Sequence, residues 1–266
     1  MSAPDILVEY RGDSSARTAT VIISNPTELN ALTTHMQIRI AEVLDILEAD
    51  AAVRGVIIRG AGTKAFSVGG SMDSLAEIKT REDGEALHQR GYRMRETILK
   101  MKKPVIAAVS GWCIGGGFEL ALACDLIYAS ETARFGMTEV DMGLVPGWGG
   151  ALDLPRRTNL IRAKEMLLLG TRLPAQQAQA EGIVNRVFPD DSLFDEVDRI
   201  MDTIAQKPPL AVQGIKQVFR VGALDTGFED AGILAHELSV SLMDTHDFHE
   251  AVDAFQNKRP PKFEGR

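Results

Sequence analysis

The chain has 266 residues, 45% of them apolar and 25% charged, and a formal net charge of -8. These values exclude a long disordered chain, and no run of about 18 uncharged apolar residues exists to cross a bilayer as a helix. The acidic balance disfavours a general nucleic-acid binder, and two cysteines, Cys113 and Cys124, cannot form a disulfide framework and fit a reducing compartment. The opening Met-Ser-Ala-Pro-Asp-Ile lacks the basic and apolar regions of a secretory signal, so a cytoplasmic protein is expected. Glycine is in mild excess: 24 residues, about 9% where roughly 7% is usual.

In chain order, the β-branched run Thr18 to Ser24 predicts a strand, ended by Asn25-Pro26. From Leu32 to Ala49, Met36, Ile40, Val43, Leu44 and Leu47 recur on one face at the helical period and predict a helix. Gly55 to Arg59 predicts a second strand. Residues 82–101 read as a helix stopped by Lys102-Lys103-Pro104. Pro104 to Val109 is a third strand, residues 110–115 a turn, Gly116 to Cys124 the start of a helix, and Asp125 to Ala129 a fourth strand. This alternation implies an α/β core. Beyond residue 158 helices are expected at 161–169, 174–181, 192–206, 209–221 and 226–245, with one strand over Ile183 to Val187. Strands cease before residue 195, which divides the chain into an expected core, 1–195, and a helical region, 196–266.

Several common motifs fail. Gly147-Trp148-Gly149-Gly150 lacks the third glycine of the dinucleotide fingerprint, Gly60-Ala61-Gly62-Thr63-Lys64 lacks the phosphate-loop spacing, and no nucleophile elbow occurs. His246, His249 and Glu250 lie on an expected helix but without the order of a zinc motif, so a solvated face is the preferred reading and no metal is expected. The cysteines sit in apolar surroundings and read as core.

The glycines instead collect in three segments: Gly69-Gly70, Gly115-Gly116-Gly117, and Gly147 with Gly149-Gly150. Glycine lets backbone N–H groups face a ligand closely, and the second segment opens a helix whose free N–H groups favour negative charge. Two such donors aimed at one oxygen would form an oxyanion hole; the same glycines could equally serve tight turns. Glu119 follows the second segment within the apolar run Phe118-Leu120-Ala121-Leu122-Ala123, where burial would raise its pKa toward that of a useful acid or base. Glu139 precedes the third segment. Two carboxylates beside an oxyanion hole suit proton transfer next to a carbonyl.

In these stretches the chain resembles the enoyl-CoA hydratase/isomerase (crotonase) superfamily. The resemblance runs through Asn30-Ala31-Leu32, Lys64-Ala65-Phe66-Ser67-Val68-Gly69-Gly70, Lys103 to Val109, Gly115 to Ala121, Cys124-Asp125, Phe135-Gly136, Glu139, Gly143, Pro146-Gly147 and Gly149-Gly150. It implies an α/β spiral of ββα units with a C-terminal helical region that mediates homotrimers, or hexamers made of two trimers. It also implies an acyl-CoA thioester substrate, oxyanion donors at Gly70 and Gly116, and a water held by Glu119 and Glu139. Contacts to the coenzyme are implied at Ala65, Val68, Ser71, Met72 and Lys258. No metal or redox cofactor is implied, since coenzyme A is part of the substrate. Both glutamates at the hydratase positions favour addition of water across a 2,3-double bond, or its reversal.

Some positions depart from the family pattern. Ser71 stands where Asp is usual, Thr27 where a lysine near the CoA phosphates is common, and Ala151-Leu152-Asp153 where Thr-Gln-Arg is usual. Lys258 and Arg259 could compensate for Thr27 or form a solvated tail. Trp148 could narrow the acyl pocket or pack into the core, the second being preferred. Arg90, Arg93 and Arg95, beside His88, Tyr92 and Met94, could pair with a carboxylated acyl group, though a solvated helix face is the preferred reading. The tail from Phe255 to Phe263 is similar to that of the carnitinyl-CoA dehydratase branch. Competing functions are a Δ3-Δ2 enoyl-CoA isomerase, a thioester hydrolase and an inactive acyl-CoA-binding scaffold.

Overall fold

The computed structural model describes residues 3–220 and 245–266. After the hairpin β1 (Asp5–Gly12) and β2 (Arg17–Ser24), helix α1 (Thr34–Ala49) leads into three successive turns of a spiral. Each turn lays one strand in a large sheet and then a short one in a second sheet. The first comprises β3 (Val53–Gly60) and β4 (Ala65–Ser67), followed by α2 (Met72–Ala76) and α3 (Arg81–Lys100). The second comprises β5 (Val105–Val109) and β6 (Trp112–Ile114), followed by α4 (Gly116–Ala123). The third comprises β7 (Leu126–Ser130) and β8 (Arg134–Gly136), followed by a 3-10 helix (Glu139–Met142), α5 (Gly150–Arg157) and α6 (Leu160–Leu169). Then come β9 (Arg172–Pro174), α7 (Ala175–Ala180), β10 (Arg186–Phe188), α8 (Leu193–Ala205), α9 (Pro209–Arg220) and α10 (His246–Gln256).

The large sheet runs β1-β2-β3-β5-β7-β10 and the small one β4-β6-β8-β9. Only the outer pairs β1/β2 and β8/β9 are antiparallel. Both faces of the large sheet are covered, which explains its continuous apolar runs. Val56, Ile58, Val105, Ala107 and Val109 join the main core with α1, α3 and α4, while Ile57, Ile106 and Ala108 face Leu193, Val197 and Met201 of α8. The expected division at residue 195 therefore falls inside a helix that packs on the sheet.

The four expected early strands and the helices at α1, α3 and α4 are present, as are those at α6 to α9. The turn expected at 110–115 contains β6, and the strand expected at 183–187 begins at Arg186. Strands of three residues carry no readable periodicity, so β4, β6, β8 and β9 were illegible. The helix expected at 226–245 lies, but for its last residue, outside the described residues. Among the described residues no helix is long and apolar enough to cross a membrane.

Candidate active site

The short sheet assembles the site. Strands β4, β6 and β8 are adjacent and mutually parallel. Their C-terminal ends therefore lie side by side, and they release Gly69-Gly70, Gly115-Gly116 and Glu139 respectively. Ligands of parallel sheets collect at that end, where the chain leaves the ladder with unpaired backbone groups.

Gly70 is held by Leu32. Leu32 N–H donates to Gly69 O at 2.7 Å, and Ser71 N–H donates to Leu32 O at 3.0 Å. In this parallel bridge the intervening Gly70 N–H points away from Leu32, and it donates to no protein group among the described residues. A β-carbon on Gly70 would meet nothing within 4 Å. Gly116 is the first residue of α4, and its N–H is one of the helix's unpaired donors. The two segments press together at Gly69, which has φ +87° and where a β-carbon would lie 2.7 Å from the Gly116 nitrogen. Only glycine allows that approach and that dihedral.

Buried polar groups brace the first segment. Asn30, in the left-handed region at φ 57°, donates from Nδ2 to the carbonyls of Ala61 at 3.1 Å and Ala65 at 2.7 Å. Ser67 Oγ donates to Asn30 O at 2.8 Å and accepts from Gly69 N–H at 3.2 Å. Asn30 carries the conformation at low cost because asparagine tolerates it better than other side chains.

Glu119 sits in the first turn of α4, 3% exposed. Its Oε1 accepts the N–H groups of Trp148 at 2.9 Å and Gly150 at 2.8 Å, while Oε2 accepts none among the described residues. Burial raises its pKa to about 7, opposed by those two hydrogen bonds and reinforced by the nearby Glu139 and Asp153 charges. Glu139 opens the 3-10 helix, and both its carboxylate oxygens are buried without a hydrogen-bond partner among the described residues. Burial raises its pKa too, offset by its own amide and that of Thr138, which lie near without hydrogen-bond geometry. Its Oε1 lies against Gly115, 3.4 Å from where a β-carbon would stand. The expected pair and the expected donors are thus brought to one place.

The coenzyme positions divide. Ala65 is buried in β4, its carbonyl taken by Asn30, and Val68 lies partly exposed before Gly69. Ser71 caps α2: its Oγ accepts from Ser74 N–H at 3.2 Å and donates to Ser74 Oγ at 2.8 Å. That hydroxyl is committed within the protein rather than turned to a ligand. Met72 is exposed. Lys258 follows α10, exposed and without a hydrogen bond or ion pair to its side chain among the described residues, whereas Arg259 is bound to Glu250 and Asp253.

The helix α3 differs from expectation. Arg95 is buried rather than solvated: its Nε and Nη2 donate to Asp153 at 2.6 and 2.7 Å. The acid of this pair comes from α5 and the cation from α3. Arg93 pairs with Asp45 at the surface, and the buried Arg90 Nε has no partner among the described residues. His88, Gly91 and Arg95 form one stripe of α3, facing Gly147, the Trp148 ring and Gly149 in turn. Sequence reasoning missed this seat for the third glycine segment; the lone Asp153 between Leu152 and Leu154 was the available signal. Both cysteines are buried, and burial pushes Cys113 well up and Cys124 up to about 12, as befits core residues. His246 faces Asp247, and His249 meets the Phe248 ring edge-on.

The chain is similar to known proteins over nearly its whole length. A family model described as enoyl-CoA hydratase/isomerase matches residues 13–266. The crotonyl-CoA hydratase of Syntrophomonas wolfei is 35% identical over 254 residues, covering 94% of this chain and 96% of that one. The carnitinyl-CoA dehydratase of Proteus mirabilis is 35% identical over 255 residues, covering 92% of this chain and 94% of its own. The crystal structure of enoyl-CoA hydratase from Bacillus anthracis matches with a TM-score of 0.93 at 30% identity, covering 98% of this chain and 99% of that one.

Proposed function

The chain belongs to the enoyl-CoA hydratase/isomerase (crotonase) family, and from that premise we propose that it adds water across the 2,3-double bond of an enoyl-CoA thioester, or removes it. The observation that carries this reading is the pair of buried carboxylates beyond the ends of adjacent parallel strands, with neither Glu139 oxygen hydrogen-bonded among the described residues and both loop N–H groups on Glu119 Oε1 alone. Carboxylate acceptors beside the backbone donors of Gly70 and Gly116 suit one water and one thioester oxygen.

In hydration, the N–H groups of Gly70 and Gly116 donate to the thioester oxygen and stabilise the enolate-like charge that develops there. Glu119 Oε2 takes a proton from water as the water oxygen bonds to the β-carbon. Glu139 delivers a proton to the α-carbon. Dehydration runs the same steps backward, with Glu119 as acid and Glu139 as base. Both directions need one proton on the pair. Burial raises the pKa of both carboxylates, which suits the pair's holding that one proton, on Glu139 before hydration and on Glu119 after it. General acid–base groups and backbone donors suffice for this chemistry, so no metal or redox cofactor enters it.

Several exposed apolar side chains, among them Val145, Leu152, Ile161, Leu168 and Leu169, support assembly as a homotrimer or a hexamer of two trimers. The net charge of -8 and the free cysteines support a cytoplasmic protein without nucleic-acid or membrane partners. Crotonyl-CoA should lose its conjugated absorbance on addition of the protein and yield a 3-hydroxyacyl-CoA. A shifted double bond, released CoA thiol, or no change over a panel of enoyl-CoAs would each overturn the hydratase reading.

A further inference from the structure

The indole of Trp148 is wedged between α3 and α4, beside Gly116. Its main-chain N–H holds Glu119 Oε1, and its ring lies on Gly116, where a β-carbon would stand 2.2 Å from Cζ3. The opposite edge of the ring lies on α3, where a β-carbon on Gly91 would stand 2.1 Å from Nε1. The ring thus bridges α3 and α4, 6% exposed, beside the backbone donor proposed for the thioester oxygen.

The two glycines beneath it mark the arrangement as built. Gly91 is in the middle of α3, where glycine costs about 0.5–1 kcal/mol relative to alanine. Neither position leaves room for a methyl group while the ring stays. An acyl chain anchored by its thioester at Gly70 and Gly116 has its α- and β-carbons at the Glu119/Glu139 pair. Beside Gly116 the indole fills the space between the helices, so carbons of such a chain that ran toward α3 would meet the ring.

We propose that Trp148 sets acyl-chain length: its ring closes the acyl path a few carbons beyond the double bond and restricts the substrate to short, unbranched 2-enoyl-CoA thioesters. This rests on the hydratase reading and specifies its substrate class. It assigns the ring a selective role, distinct from the positioning role of the same residue's N–H.

The test compares kcat/KM for crotonyl-CoA and trans-2-decenoyl-CoA in the wild type, Trp148→Phe and Trp148→Ala, with urea unfolding to establish that each variant is folded. The wild type should favour crotonyl-CoA by about a hundredfold, and Trp148→Ala should shift that ratio toward the long chain by at least about tenfold, since added methylenes in an apolar pocket have effects of that size. Trp148→Phe should shift it in the same direction by less. Equal wild-type use of both substrates, or an unchanged ratio in a folded variant, would overturn the proposal. If the wild type hydrates neither substrate, the hydratase reading fails instead. Calorimetric binding of butyryl-CoA and decanoyl-CoA then reads the pocket alone: a short-chain preference that Trp148→Ala removes supports the role of the ring, and equal binding overturns it.

Discussion

Arg95 and Asp153, 58 residues apart in sequence, form a buried two-pronged ion pair beneath the loop that grips Glu119. Gly149, against which the guanidinium packs, lies between the two residues whose N–H groups hold the Glu119 carboxylate. Removing one partner strands the other charge in a buried setting. Asp153→Ala should therefore destabilise the fold by about 3–5 kcal/mol in urea unfolding. It should also lower kcat, because the Trp148 and Gly150 donors lose their support. Arg95→Met with Asp153→Leu should regain most of the stability, since no buried charge is then left unpaired and Arg156, the second partner of Asp153, is exposed.

Glu119→Gln and Glu139→Gln should each lower hydration turnover by orders of magnitude while leaving circular dichroism unchanged. The glutamine carbonyl at 119 can still accept both loop N–H groups, so the loss is chemical rather than structural. The double variant should be little worse than either single one, because the carboxylates act on one water as a unit. A folded single variant with near wild-type turnover would remove that carboxylate from the mechanism.

The raised pKa of Glu119 also predicts a stability slope. The folded state binds this proton more tightly than the unfolded chain, so the penalty is absent below the ordinary value of 4.5. Stability then falls as pH rises toward about 7 and levels off above it. Glu119→Gln removes this slope and should exceed the wild type in stability at alkaline pH, by at most roughly 3 kcal/mol. Urea unfolding of both proteins across that pH range measures the difference.

The same titration bears on activity. Both directions need one proton on the Glu119/Glu139 pair, so kcat/KM should decline as pH rises through about 7 for hydration and for dehydration alike. A profile that rises through that region in both directions would contradict the shared-proton scheme.

Gly69→Ala should injure the site more than its size suggests. It must take φ +87° and place a methyl group 2.7 Å from the Gly116 nitrogen, so the two backbone donors must move apart. A stability loss of about 1–3 kcal/mol and a larger proportional loss of kcat are expected, measured by urea unfolding and initial rates.

Much of this was already legible in the residues. The α1 stripe from Met36 to Leu47 and the apolar run Val105–Val109 declare themselves locally, because helices and buried strands write their period or their continuity into short windows. The three glycine segments with Glu119 and Glu139 were legible as a constellation through their order and spacing. The burial of Glu119 also followed from its apolar neighbours in α4.

Other features depend on contacts distant in sequence. The strands β4, β6 and β8 are three residues each, too short to show a pattern, yet their parallel adjacency brings Gly70, Gly116 and Glu139 together. Arg95 has the composition of a surface residue and becomes a buried one only because Asp153 folds against it. Trp148 acquires a place beside Gly116 only because Gly91 and Gly116, from two helices, leave room for its ring. The sequence alone determined which residues can do this chemistry, since donors, acceptors and glycines are local properties of the chain. The tertiary structure decided which of them meet, and how closely, because approach distance and burial arise only when remote segments pack.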